Sequence, residues 1–501
     1  MADLKLRDYQ QAAIEEVRAH WAAGRKRVLC WLPTGAGKTE LSAALALAEQ
    51  QRGGSTLFVV DRKTLAGQTR NRFSGRYGML TGLLRGEETF VRGYEPVTVA
   101  SVQTLKARHV HPEVKGVLDR ATLCVIDEAH IRHQHHDDLL DMLPNARVLG
   151  LTATPLRDGL GRTFGAMVRG PSYADLIGRG FLVPPRYFLP GLDAIRDGLR
   201  SISVASTGDY TSDELSQLMR GRVILGDAVS TWQAKAEGRA TIAFCVDVAH
   251  SKAMADAFLS AGVPAEHIDF RTEEADRAGM FERLRRGTTR VLCSVAVLAI
   301  GFDEPVAACA ILARPTLSLA LHIQQIGRVM RPSAGKIDCI VLDHAANVLR
   351  HGKVEEFTPP ELSNIDARSD LQRKNEPTRD YFPCPACNAV MIPGQRQCGE
   401  CGHEIARATD VHHVEADLTE APTTAKPEMD FQTLYRELTF IAKARGHKPG
   451  WAYFKLRENY GFSAPTAWKN LPPLPPCAAT ERLDKSWRIA WAKTREKERQ
   501  A

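Results

Sequence analysis

The chain lacks an apolar run long enough to cross a bilayer. Its first ten residues, Met1 to Gln10, lack the continuous hydrophobic core of a secretion signal, and no repeat of solenoid length recurs. Membrane spanning, export and repeat architectures are therefore set aside, and a soluble cytoplasmic protein without membrane contact is the expectation. Cysteine is sparse for a disulfide framework: of eleven, seven are scattered, several inside strand-like runs such as Leu123–Ile126 and Val291–Cys293. That pattern suits buried, reduced thiols. A strong charge imbalance is missing too, since a formal +7 spread over 501 residues gives little guidance about partners. No clustered nuclease motif is found.

What is present is a globular composition, 44% hydrophobic and 25% charged, in a chain too long for one core. From Val28 to about Gly170, short apolar runs (Val28–Leu32, Thr56–Val60, Val97–Ala100, Leu123–Ile126, Val148–Leu151) alternate with helix-like segments such as Glu40–Gln51. Alternation of this kind predicts a parallel sheet covered by helices. A second series follows Pro184-Pro185, with Thr241–Val246, Arg290–Val295, Ala308–Ala313 and Cys339–Leu342 as strand candidates. The expected fold class is thus α/β, two parallel-sheet domains in tandem over 1–175 and 176–357. Beyond them the sequence predicts a cysteine module at 375–408, a polar linker at 409–430 and a small helical domain at 431–501.

Thr34-Gly35-Ala36-Gly37-Lys38-Thr39 follows an apolar strand and precedes a helix. Glycines there let backbone N–H groups of Gly35, Ala36 and Gly37 converge on phosphate oxygens at a helix N-terminus. Lys38 would reach the β and γ phosphates and the Thr39 hydroxyl would ligate Mg²⁺, so ATP and Mg²⁺ are the expected cofactors; Thr34 and Glu40 flank the cradle. The strict loop pattern asks for glycine at position 32, where this chain has Leu32. Downstream, Asp127-Glu128-Ala129-His130 ends another apolar strand: Asp127 is the candidate Mg²⁺ ligand, and Glu128 the candidate that orients and deprotonates the attacking water. His130 is placed as a nucleotide sensor coupled to Thr152-Ala153-Thr154. His133, His135 and His136 read as a solvated helix start rather than a metal site.

Gln324-Gln325-Ile326-Gly327-Arg328-Val329-Met330-Arg331 places two arginines three apart on a predicted helix, where they would face one side and reach a γ-phosphate across a cleft. Cys384-x-x-Cys387 and Cys398-x-x-Cys401, ten residues apart, have the spacing of a tetrahedral, structural Zn²⁺ site. A redox pair or a disulfide are the other readings of such knuckles, and His403 could compete for one ligand position. The tail from Ala478 carries seven basic against four acidic residues with Trp487 and Trp491. Those tryptophans could stack on nucleic acid or form core.

Taken in order, these segments resemble the superfamily 2 helicases of DEAH-box type over Leu4 to Gly352, and the stretch Leu342–Gly352 followed by four cysteines is similar to their RadD/XPB-like branch, phage relatives included. The resemblance implies RecA-like domains and an adenine-recognition motif at Leu6–Gln10, with Gln10 reading the base and Arg7 stacking on it. It also implies a fifth motif at Gly301–Pro305 whose Gly301 and Asp303 approach the nucleotide. Arg328 and Arg331 become arginine fingers, and Gln324 joins His130, Thr152 and Thr154 in coupling. In such proteins a strand crosses both domains opposite the ATP cleft; Arg62, Gln68, Ser101, Gln103, Thr104, Asp247 and Arg271 are the candidate contacts. Ala299-Ile300 departs from the threonine and acidic residue usual before the fifth-motif glycine. The expected activity is ATP-driven movement on, or remodelling of, single-stranded or branched DNA with little sequence specificity, in repair, recombination or phage replication. An RNA helicase, a restriction or defence motor, and an ATP-switched clamp are the alternatives. Contact with a single-strand-binding protein is one role the resemblance offers the cysteine module.

Overall fold

The computed structural model describes residues 4–61, 63–131, 139–143, 145–157, 159–189, 209–219, 222–236, 238–295, 304–362, 381–392, 395–404, 430–460 and 463–477, with a few isolated positions besides. Two compact units, Met1–Ala406 and Arg407–Ala501, divide the chain. Among the described residues no helix is long and apolar enough to cross a membrane.

The first sheet of the large unit contains β1 (Arg27–Trp31), β2 (Ser55–Val60), β3 (Thr81–Arg85), β4 (Glu88–Phe90), β5 (Val97–Ser101), β6 (Ala121–Ile126), β7 (Arg147–Thr152) and β8 (Ala166–Arg169). Their spatial order is β4-β3-β5-β2-β6-β7-β1-β8, with only the β3–β4 pair antiparallel. Central strands such as β1 and β2 are apolar on both faces because helices cover both, and Val28 to Trp31 are all buried. The second sheet orders β11-β12-β10-β13-β14-β9 from β9 (Pro185–Phe188), β10 (Thr241–Phe244), β11 (Ala265–Ile268), β12 (Val291–Ser294), β13 (Cys309–Leu312) and β14 (Cys339–Asp343), every pair parallel. These are two RecA-like α/β domains. The six cysteines Cys30, Cys124, Cys245, Cys293, Cys309 and Cys339 lie buried in or beside these strands as thiols.

β9 is an edge strand, and Pro185 sits at its first residue, where a missing N–H is tolerated. Its free side is covered by the cysteine module. Phe188 bridges antiparallel to Ala389, the Leu189 N–H donates to the Asn388 carbonyl at 2.9 Å, and Arg186 pairs with Glu400 at 2.7 Å. The module's own ribbon is β15 (Phe382–Pro383) against β16 (Val390–Met391).

In the smaller unit, the helices Phe431–Ala444 and Trp451–Tyr460 bury Leu434, Leu438, Ile441, Ala452 and Leu456 against each other. Asp430 caps the first by accepting from the Gln432 N–H at 3.0 Å. Trp487 packs at the margin of this core, its ring 6.4 Å from Tyr460, while Trp491 falls outside the described residues.

Candidate nucleotide site and zinc module

β1 delivers the phosphate loop at its carboxyl end, and Gly35 and Gly37 both adopt left-handed φ (+87° and +83°), which lets the loop turn its amides inward before the helix Lys38–Gln51. Leu32, at the relaxed first position, is buried, and a Cβ at Gly170 would lie 2.3 Å from it. The leucine therefore packs into the core beneath the loop. From the N-terminal helix Asp8–Ala22, the Tyr9 hydroxyl donates to the Ala36 carbonyl at 2.8 Å, and the Gln10 amide donates to the carbonyls of Ala36 and Gly37 at 3.0 and 3.2 Å. Tyr173 accepts from the Thr34 N–H at 3.0 Å. The loop is thus braced from both sides.

Lys38, Asp127 and Glu128 line one cavity of about 620 Å³ together with Gln10, Arg328 and Arg331. The first three come from the first domain and the two arginines from the second, so the cavity exists only where the domains meet. Gly327 marks that meeting: a Cβ there would lie 2.6 Å from Thr34 Cβ, too close for any side chain. Lys5, Arg7, Arg72 and Arg76 add further cations to the lining, and Arg76 pairs with Glu40 at 3.0 Å. A surplus of positive charge in a partly enclosed cleft suits a polyphosphate.

The carboxylate pair sits where β6 ends. Asp127 is held by its N–H donating to the Val59 carbonyl at 2.9 Å, and Glu128 takes a left-handed φ of +48°, an unfavourable conformation for a side chain with a Cβ. Burial, then the adjacent Glu128 charge, pushes Asp127 up to about 6, with Lys38 opposing. Burial also draws the Lys38 ammonium below its ordinary value, against the pull of Glu128 and Asp127. Its Nζ donates to the Leu32 carbonyl at 3.3 Å.

His130 bridges this strand end to the next, its Nδ1 2.9 Å from the Thr152 hydroxyl and its Nε2 3.3 Å from that of Thr154. Burial and then Lys38 push His130 down to about 4, so the ring is neutral at physiological pH. Its Nδ1 lies 3.4 Å from Glu128 Oε2. The structure therefore joins His130, Thr152, Thr154 and Glu128 into one contact chain. Gln324 is buried on the helix Leu319–Gly327 that leads to the arginines.

One expectation is corrected. The two arginines do not share a helix: it ends at Gly327, Arg328 caps it, and Arg331 lies in the loop beyond. The chain leaves the helix so that Val329 and Met330 can bury, the Met330 carbonyl accepting from the Val183 N–H at 2.8 Å. Both arginines nonetheless line the cavity.

The segments proposed to touch a strand stand at the carboxyl ends of β2, β5, β10 and β11, but several of their side chains are engaged within the fold. Ser101 is fully buried and caps the helix Val102–Arg108, accepting from the Thr104 N–H at 3.3 Å; Thr104 accepts from the Gly86 N–H at 2.7 Å. Asp247 caps the helix Val248–Ser260 through the His250 N–H at 2.7 Å. Gln103 donates to the Asp61 carbonyl at 2.6 Å. Gln68 lines the nucleotide cavity, and exposed Arg271 lies 5.3 Å from the Phe270 ring. Arg62, Gly301, Asp303, His133, His135, His136 and Ala299-Ile300 fall outside the described residues.

Phe181, Tyr173, Arg72 and Arg76 were missed in the sequence. Arg7 and Arg179 lie 4.5 and 4.9 Å from the Phe181 ring, tying the N-terminal motif to the segment that leads into the second domain. The spacing of Arg72 and Arg76, one turn apart on the helix Lys63–Tyr77, was their signal.

In the cysteine module the four Sγ atoms lie within 4.8 Å of one another, with Cys384–Cys401 and Cys387–Cys398 both at 3.7 Å. Tetrahedral bonds of about 2.3 Å to Zn²⁺ would set sulfurs roughly 3.8 Å apart. Each knuckle closes the same way: Asn388 and Gly402 take left-handed φ (+61° and +73°) and donate their N–H groups to the carbonyls of Cys384 and Cys398. The residues fit a zinc ion.

Fold and site together define a nucleotide hydrolase with two RecA-like domains sharing one cleft. Family models agree: residues 3–157 match the type III restriction enzyme, res subunit, and residues 223–333 match the helicase conserved C-terminal domain. Among relatives, a 51.5 kDa protein of Lactococcus phage (isolate 7-9) is 28% identical, covering 75% of this chain and 77% of its own length. The protein named "Putative mitochondrial ATP-dependent helicase irc3" of Schizosaccharomyces pombe is 28% identical over 76% of this chain and 64% of its own length. The DNA 3'-5' translocase XPB2 of Sulfurisphaera tokodaii is 23% identical over 66% and 79%. With these two domains the chain is a nucleic-acid-dependent ATPase, and it is similar to superfamily 2 helicases of the XPB/RadD-like group.

Proposed function

We propose that the chain is a DNA translocase that couples ATP hydrolysis to movement on, or remodelling of, single-stranded or branched DNA, in repair, recombination or phage replication. The observation that carries this reading is the single cavity in which Lys38, Asp127 and Glu128 of one domain meet Arg328 and Arg331 of the other. Lys38 and the loop amides hold the β and γ phosphates, and Thr39 and Asp127 hold the Mg²⁺ that neutralises them. Gln10 and Arg7 recognise the base, and Gly301 and Asp303 approach the nucleotide from the second domain. Glu128 orients and deprotonates the attacking water, and the arginines stabilise charge developing on the transferred phosphoryl group. Because hydrolysis needs groups from both domains, each cycle of closure and opening shifts one domain's hold on a strand relative to the other's. His130, Thr152, Thr154 and Gln324 relay that change, and Arg271 is an exposed member of the strand contacts. The four cysteines hold a structural Zn²⁺ beside β9. A single-strand-binding protein is a partner consistent with this role.

The test is steady-state hydrolysis with Mg²⁺, alone and with single-stranded, duplex or forked DNA or RNA, beside Glu128→Gln. Strong stimulation by DNA, absent in Glu128→Gln, is expected. Greater stimulation by RNA would reassign the substrate, and indifference to every nucleic acid would leave an ATP-switched clamp.

A further inference from the structure

The chain's positive charge is not evenly spread. Residues 431–501 hold fourteen lysines and arginines against six acidic residues, a net +8, whereas the whole chain carries +7; the preceding 430 residues are therefore near neutral. The same segment is rich in aromatic side chains, eleven within its 71 residues, against 7% for the whole chain. Neither family match reaches it.

In the structure several of these groups gather around the turn between the helices Phe431–Ala444 and Trp451–Tyr460, where residues 443–450 are all exposed. Phe440 and Lys443 lie one turn apart at the end of the first helix; Phe454 and Arg457 lie one turn apart on the second; Lys448 stands in the turn between. Phe454 is 64% exposed and Phe440 39%, although the adjoining core has taken in Leu434, Leu438 and Leu456. His447 lies flat on Trp451, ring centroids 4.6 Å apart and planes within 7°, at the same turn. Among the described residues no acidic side chain is found against Lys443, Lys448 or Arg457, whereas Arg445 pairs with Asp484 at 2.5 Å. Cations set near exposed rings suit the phosphates and unpaired bases of a single strand.

We propose that this face is a second binding site for single-stranded DNA, separate from the strand contacts of the RecA-like domains. Lys443, Lys448 and Arg457 take phosphates and Phe454 takes a base, an arrangement that follows the backbone without reading sequence. Naming DNA as the strand rests on the function proposed above; the single-stranded form rests on the exposed rings, which a stacked duplex could not engage.

The experiment is fluorescence anisotropy of the full chain with an oligothymidylate of about 30 nucleotides, a duplex of equal length and polyglutamate, across a salt series. Lys443→Glu/Lys448→Glu is expected to raise the oligothymidylate dissociation constant at least about tenfold and to flatten the salt slope by roughly 1.4, at about 0.7 per lost phosphate contact. Phe454→Ala is expected to weaken oligothymidylate by about fivefold or more while leaving duplex affinity unchanged. Lys443→Gln/Lys448→Gln, which introduces no repulsion, gives the same direction and replaces the charge reversal should that variant fold poorly. Unchanged affinity and slope in the lysine variants overturns the site. Equal loss for duplex and single strand in Phe454→Ala overturns base stacking, and equal binding of polyglutamate, lost in the same variants, reassigns the face to an acidic protein. Binding is read without hydrolysis, so failure here is distinguishable from failure of the motor, whose readout is DNA-stimulated ATPase.

Discussion

Lys336 donates from its ammonium to the backbone carbonyl of Arg331 at 2.7 Å. The same ammonium reaches the carbonyls of Ala307 at 2.6 Å and Pro305 at 3.1 Å, so one half-buried side chain ties the arginine loop to the segment that follows Asp303. Pro305 and Arg331 both line the nucleotide cavity. Lys336 is a positioning residue in this geometry: Lys336→Met is expected to lower kcat about ten- to hundredfold with a smaller change in the KM for ATP, the cost typical of misplacing a catalytic group by about 1 Å. Burial pushes Lys336 down to about 8, so the clamp loosens and hydrolysis declines as pH rises through that value. Lys336→Arg, which stays charged, should remove the decline; an alkaline limb that persists in it would sink the assignment.

Asp127 is expected to set the acid limb of the pH profile for hydrolysis. Its pKa is raised to about 6, first by burial and next by Glu128, and a carboxylate must be ionised to hold Mg²⁺. Affinity for Mg²⁺ with a fluorescent ATP analogue should fall about tenfold per pH unit below that value. Glu128→Gln removes one cause of the upward shift, so its limb should move to lower pH; a limb that stays in place would separate the two carboxylates. For folding the sign follows from the same shift. Ionising Asp127 costs more in the folded chain, so its contribution to stability declines as pH rises from about 4 to 6.

At Gly327 the requirement is space. Gly327→Ala sets a methyl group 2.6 Å from Thr34 Cβ, and relief requires the two domains to part at the phosphate loop. A drop in kcat/KM for ATP of at least about tenfold is expected, in keeping with the roughly 1–3 kcal/mol typical of overpacking. Near-normal kinetics would mean that Thr34 and Gly327 are apart in the working enzyme.

Zinc content and thermal unfolding test the cysteine module. One Zn²⁺ per chain is expected by elemental analysis, with loss of metal after chelation or in Cys384→Ser/Cys398→Ser. Because Cys384, Cys398, Ala389 and Met391 pack into the core that also holds Phe188 and Leu342, metal loss should lower the melting temperature of the second RecA-like domain as well as unravel the ribbon. A domain whose melting ignores chelation would make the ribbon an independent appendage.

Much of the site was legible because its chemistry is local in sequence. The phosphate loop, the consecutive Asp127-Glu128 and the paired CxxC knuckles each place several ligands within a few residues, and the backbone between them has few ways to fold. The strands carrying them were also legible, since runs buried on both faces are continuous in apolar residues. β3, β4, β8, β9 and β11 were not: they lie at or near sheet edges, are short or partly polar, and β9 opens on a proline. A helix boundary misled as well. Gly327 is a stop signal within Ile326-Gly327-Arg328-Val329-Met330-Arg331, but the burial of Val329 and Met330 that carries the chain off the helix before the second arginine is decided by tertiary packing.

The sequence by itself determined the nucleotide chemistry, the zinc-type ligand set and the tandem α/β plan, because each depends on residue types at short, rigid spacing. Tertiary structure alone decided which groups meet. It brought Arg331 beside Gly35, set Gly327 against Thr34, laid the cysteine ribbon along β9, turned Ser101 and Asp247 into helix caps and gave the Thr104 hydroxyl to the Gly86 N–H. Those pairings join residues far apart in the chain, and their distances depend on how whole sheets and helices pack rather than on any local pattern.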